Sequence, residues 1–161
     1  MTTKKKVYLA SFLAPMILIF IAWAIDGFFP FGAKSLMAVD FNAQYIGLYA
    51  YFKHLFLNWD WSSFFYSFSK SIGGGMLGIW GFNLLSPFNF LFLFFSEENF
   101  QWIVPVVIAL RYGAMGVTMT HFLVKRYDGL KKKAYLLPIV ATIYALNGFN
   151  VSYQMNPIFY D

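Results

Sequence analysis

The segment MLGIWGFNLLSPFNFLFLFF, Met76 to Phe95, decides the topology of this chain. Its composition is apolar enough for a membrane span, yet Gly78, Gly81, Asn83, Ser86, Pro87 and Asn89 interrupt it. The clean apolar run after Pro87 covers only about half a bilayer, and a spanning helix needs roughly 20 residues. Pro87 breaks any helix that reaches it. The segment is therefore expected to be re-entrant or interfacial, with irregular backbone that must be covered by protein or by a water-filled cavity.

Three other stretches have the length and composition of spans. Residues 7–25 carry no charge, residues 102–124 carry only Arg111 and His121, and residues 134–153 carry none. The whole chain of 161 residues is 60% hydrophobic, 23% aromatic and 12% charged, the composition of an integral membrane protein. MTTKKK followed by an apolar run imitates a secretory signal, but about 19 apolar residues exceed the ~7–15 of a signal core. The first span is therefore expected to stay uncleaved. Cysteine is absent, which excludes disulfides and thiolate chemistry.

Charge fixes the orientation. Eight of the twelve Lys and Arg residues fall in two clusters, Lys4–Lys6 and Lys125–Lys133, and basic flanks stay on the cytoplasmic side. Asp26, Asp40, Asp60, Glu97, Glu98 and Asp161 then lie on the other side, and only Asp128 shares a basic loop. A crossing by Met76–Phe95 would put the loop KRYDGLKKK outside. The expected architecture is all-α: an inner N-terminus, spans at about 7–25, 102–124 and 134–153, an outer loop at about 26–100 and an inner loop at 125–133. The net charge of +5 is accounted for by topology and points to no nucleic-acid partner.

Within the outer loop, Phe41, Tyr45, Leu48, Tyr49, Phe52, Leu55 and Phe56 recur at three- and four-residue spacing. They predict an amphipathic helix along the membrane surface, with Asn42, Lys53 and His54 off the apolar stripe. Asp40 immediately precedes it, so helix capping is the simplest reason for a carboxylate there. Arg111 lies near the middle of the second span, where a charge is expensive; either contact with a lipid phosphate or a structural pair satisfies it. Lys53, His54 and Lys70 read first as headgroup contacts. His54 and His121 are too far apart in sequence to suggest a metal site. Gly73-Gly74-Gly75 lacks the Lys-Ser/Thr ending of a phosphate loop and reads as a turn. Glu97 and Glu98 read as acids opening the second span. Asn147, Asn150 and Asn156 are candidates to face a cavity or to bond between helices.

Several elements in order carry a resemblance: the basic N-terminus and first span, DFNAQY (Asp40–Tyr45), SIGGGMLG, LLSPFN (Leu84–Asn89) and YALNGFNVSYQMNPIFYD (Tyr144–Asp161). Together they resemble the bacterial YfhO family, polytopic membrane proteins similar to GT-C glycosyltransferases. The resemblance implies transfer of a sugar from a polyprenyl-phosphate donor to a cell-wall polymer such as lipoteichoic acid, on the outer face of the cytoplasmic membrane. It also implies that the chain is the N-terminal part of a longer polytopic domain, with the rest of the bundle as a partner. Asp40 matches the catalytic carboxylate of the first outer loop, and Asp161 the place of a second acid. Asn42, Gln44, Tyr45 and Arg111 are the accompanying substrate-binding candidates. No metal ligand is assigned and metal dependence stays open.

The chemistry suits these residues independently. Displacing a lipid phosphate from an anomeric carbon needs a base for the acceptor hydroxyl and positive charge near the leaving group. Two other classes fit the same composition. A lipid-linked sugar translocase or transporter distributes polar groups through the membrane interior. A noncatalytic scaffold tolerates Asp40→Asn.

Overall fold

The computed structural model describes residues 3–70, 72–127, 129 and 133–156, and these are mainly helical. The chain divides into two compact units, Met1–Lys34 with Pro105–Gln154, and Ser35–Val104 with Met155–Asp161.

The first unit is built on α1 (Thr3–Asp26) and the greater part of α5 (Phe100–Arg126). Both are long and apolar enough to cross a membrane. Their contact is made by small residues. A Cβ at Gly113 would stand 2.7 Å from the Phe12 ring, and one at Gly116 would collide with the Ser11 carbonyl oxygen. Pro15 accounts for that carbonyl's availability, because proline has no N–H to donate back to residue 11. Glycine lets the second helix come close to it, as small residues do in membrane bundles. One turn further on, the Thr120 hydroxyl donates to Ser11 Oγ at 2.6 Å. Tyr8 and His121 meet at 3.3 Å between the same helices.

The stretch 134–153, expected to be one span, is not one helix. It forms α6 (Leu136–Ala145) and α7 (Gly148–Ser152). Asn147 makes the break: its side chain accepts the Asn150 N–H at 3.1 Å and caps α7. Ten residues of α6 cover about 15 Å, half of a bilayer core. The broken ends are tied down within the unit. Trp23 Nε1 donates to Gln154 Oε1 at 3.0 Å, the Tyr112 hydroxyl donates to the Asn150 carbonyl at 3.1 Å, and Asn150 Nδ2 donates to the Ala145 carbonyl at 2.9 Å.

The second unit has an aromatic core. A π-helical turn (Phe41–Tyr45) runs into α2 (Ile46–Asn58), and Phe41, Tyr45, Tyr49, Phe52 and Leu55 form its buried face. The predicted stripe is present, but its partner is protein and not the membrane surface. Tyr49 stacks on Phe92 at 4.3 Å between ring centroids, and Phe52 meets Trp80 and Phe90 at 6.0 and 5.4 Å. Periodicity defines the face and leaves its partner open.

That partner is the apolar segment Met76–Phe95. It folds as α4 (Leu77–Ile79), a π-helical turn (Trp80–Leu84) and a 3₁₀ helix (Pro87–Phe94), with no continuous helix through it. Pro87 stands at the start of the 3₁₀ helix and ends what precedes it. Asn89 is buried and donates to the Leu84 carbonyl at 3.4 Å. Between α2 and α4 lie the short α3 (Ser62–Phe65) and an antiparallel hairpin of β1 (Tyr66–Ser67) and β2 (Gly74–Gly75). The triple glycine forms this hairpin, with Gly73 at φ +107°, a conformation glycine adopts without strain. Glu97 and Glu98 occupy the 3₁₀ turn Glu97–Asn99 that opens α5.

Candidate functional site

Asp40 sits where the chain enters the π-helical turn. It does not cap the helix. Its backbone is already helical at φ −63°, ψ −29°, and its side chain makes no capping bond, whereas an N-cap residue needs an extended backbone to turn its side chain back on the first turn. Helical geometry begins one residue early because Val39 takes φ +52° and its carbonyl accepts the Ala43 N–H at 3.1 Å. A left-handed β-branched residue is strained, by about 1–2 kcal/mol, and Val39 is also 77% exposed, so burial does not offset that cost.

Freed from capping, the carboxylate meets another part of the unit. Asn156 Nδ2 donates to Asp40 Oδ2 at 2.9 Å, and the Tyr45 hydroxyl donates to Asn156 Oδ1 at 2.8 Å. The amide is thus held at both ends, its oxygen by tyrosine and its nitrogen by the carboxylate. Tyr45 is 1% exposed and stacks on Phe82 with an interplanar angle of 4° and centroids 6.2 Å apart. A rigid buried ring therefore fixes the amide, and the amide fixes one carboxylate oxygen. Among the described residues no donor meets Oδ1, and Asp40 is only half-buried.

The other sequence candidates fall in different places. Asn42 and Gln44 are exposed on the same turn as Asp40, and Gln44 lines a cleft of about 320 Å³ between α2 and the hairpin. Tyr45 is buried, and its hydroxyl is bonded to Asn156. Arg111 belongs to the first unit, where it is 2% exposed in α5. Asp161 lies outside the described residues. Among the described residues no three His, Asp or Glu side chains gather as metal ligands would.

Asn156 is the residue that sequence reasoning placed only as cavity-facing or interhelical. Its signal was polarity beside an apolar stretch, which does not specify a partner 116 residues away.

Two helices long and apolar enough to cross a bilayer, and a half-buried carboxylate held by an amide in the second unit, fit a membrane-associated protein with a polar site. The chain belongs to the YfhO family: the family model described as bacterial membrane protein YfhO matches residues 11–161. No match was found among curated proteins or among solved structures.

Proposed function

We propose that this chain carries the catalytic carboxylate of a membrane glycosyltransferase of GT-C type. The donor is a polyprenyl-phosphate sugar and the acceptor a cell-wall polymer such as lipoteichoic acid, on the outer face of a bacterial cytoplasmic membrane. The observation that carries this reading is the Asp40–Asn156–Tyr45 chain, in which one carboxylate oxygen is fixed and the other meets no donor among the described residues. Such an arrangement suits a general base, which must hold a defined direction toward the proton it takes.

In the proposed step Asp40 Oδ1 accepts the proton of an acceptor hydroxyl as that oxygen bonds to the anomeric carbon. The bond from the anomeric carbon to the phosphate oxygen breaks, and the polyprenyl phosphate leaves with the electron pair. Asp40 then gives up its proton to water. Asn42 and Gln44 are assigned to sugar hydroxyls because they are exposed beside Asp40. No role in this step is assigned to Arg111, which belongs to the first unit and is 2% exposed. The proposal takes 134–153 as a third crossing made by a broken helix, a form tolerated where protein covers the break.

The test is glycosylation of the wall polymer in cells carrying Asp40→Asn, with protein abundance measured in parallel. Lost glycosylation at normal abundance supports the reading. Retained glycosylation removes it and leaves a scaffold or a lipid-linked sugar translocase.

A further inference from the structure

Gly47 has no structural explanation within the fold. It lies inside the continuous helical run from Phe41 to Asn58, where glycine costs about 1 kcal/mol relative to alanine. Its φ is not left-handed, and a Cβ built on it meets nothing within 4 Å. Gly113 and Gly116 each admit a neighbouring helix; among the described residues nothing comes within 4 Å of a Cβ at Gly47. What it does is open the wall of the cleft that Gln44 enters. Glycine in such a position allows a ligand to approach the helix backbone closely.

The cleft has two kinds of surface. Leu48, Met76 and Ile79 are apolar, while Gln44, Ser67, Ser69 and Lys70 supply an amide, two hydroxyls and one ammonium. Tyr51, Ser67 and Ser69 also line a second cavity of about 470 Å³, where His54, Asp60 and Glu97 add an imidazole and two carboxylates. The two cavities therefore adjoin along one face of the helical run from Phe41 to Asn58. From Gln44 to His54 the face runs ten residues, about 15 Å, and it begins four residues from Asp40.

We infer that this trough binds an uncharged polyhydroxylated chain, a neutral glycan segment of the acceptor, over Gly47. Sugars present apolar C–H faces and hydroxyl edges, which match apolar side chains alternating with hydroxyl, amide and carboxylate groups. One lysine against two acids does not make an anion site; moreover Lys70 Nζ already donates to the Gly75 carbonyl at 2.7 Å. The trough is longer than one sugar ring needs, which favours an oligomeric acceptor over the single sugar of the donor. The inference rests on the glycosyltransferase reading for the word acceptor, and on the trough alone for the binding.

The experiment is saturation-transfer NMR with maltotriose on the full-length protein in lipid nanodiscs, comparing the natural sequence with Gly47→Phe and Gly78→Phe. Gly78 also has open space around it and lies outside the trough, so it controls for added bulk. The expected result is a maltotriose signal that falls about tenfold in Gly47→Phe and persists in Gly78→Phe. Absence of a signal from the natural protein, or an equal signal from Gly47→Phe, overturns the inference. A diazirine-bearing maltotriose gives a second readout: labelling within 44–54 and 67–70 supports the trough, and labelling confined elsewhere overturns it. Neither measurement needs turnover, so a failed glycosyltransferase reading and a failed trough give different results.

Discussion

Asn156 holds Asp40: its amide nitrogen lies 2.9 Å from the carboxylate, although 116 residues separate the two in sequence. The same amide is held from behind by the Tyr45 hydroxyl at 2.8 Å, so the carboxylate's direction depends on a buried aromatic ring.

Asn156→Ala removes that support without touching the carboxylate. Sugar transfer is expected to fall by about tenfold or more, chiefly in kcat, since a misdirected base loses its transition-state contact and not substrate affinity. Tyr45→Phe deletes one hydrogen bond, worth about 1 kcal/mol, and is expected to give a smaller fall of the same kind. Steady-state kinetics in proteoliposomes separates kcat from KM. A rise in KM alone in both variants contradicts a positioning role.

Val39 supplies a stability prediction next to the site. Asn tolerates the left-handed conformation that strains a β-branched residue, so Val39→Asn is expected to stabilise the protein by about 1 kcal/mol. Thermal unfolding in detergent checks this through a raised midpoint. A lowered midpoint contradicts strain at this position.

Gly116→Leu is expected to separate α1 from α5, because the added Cβ meets the Ser11 backbone, which has no rotamer to move. Overpacking of this kind costs typically 1–3 kcal/mol, and more against backbone. Crosslinking between cysteines introduced at Phe12 and Gly113 reports the contact: it should form readily in the natural background and fail with Gly116→Leu.

Asp60 gives a pH prediction outside the proposed spans. Hydrogen bonds from the Ser62 hydroxyl and then from Ser63 hold its carboxyl below the ordinary value of 3.8. With the folded value depressed, the stabilisation of α3 is fully present above 3.8 and is lost as pH falls through the folded value. NMR titration of the Asp60 carboxyl should give a midpoint under 3.8 that moves up toward it in Ser62→Ala. An unchanged midpoint in Ser62→Ala contradicts the assigned cause.

These sites differ in how far the sequence disclosed them. The apolar face of α2 was legible from Phe41, Tyr45, Tyr49, Phe52 and Leu55 because helical periodicity is local. Its burial against Trp80 and Phe92 was not, since a lipid surface and an aromatic core attract the same residues. The break at Pro87 was legible, whereas the break at Asn147 was hidden in a stretch whose average composition fits one span. Asp40 stood out as a carboxylate in an apolar chain. Its capping role failed through the positive φ of Val39, which nothing in a Val-Asp pair announces, and its amide partner required tertiary contact to find.

The measurement that tests the central claim most directly is single-turnover transfer by Asp40→Asn protein in proteoliposomes, with radiolabelled polyprenyl-phosphate sugar and wall polymer supplied, and donor binding measured on the same sample. The account predicts that donor binding persists while transfer falls by about 10²–10⁴-fold, the usual contribution of a general base. Transfer at the natural rate with donor bound would contradict it.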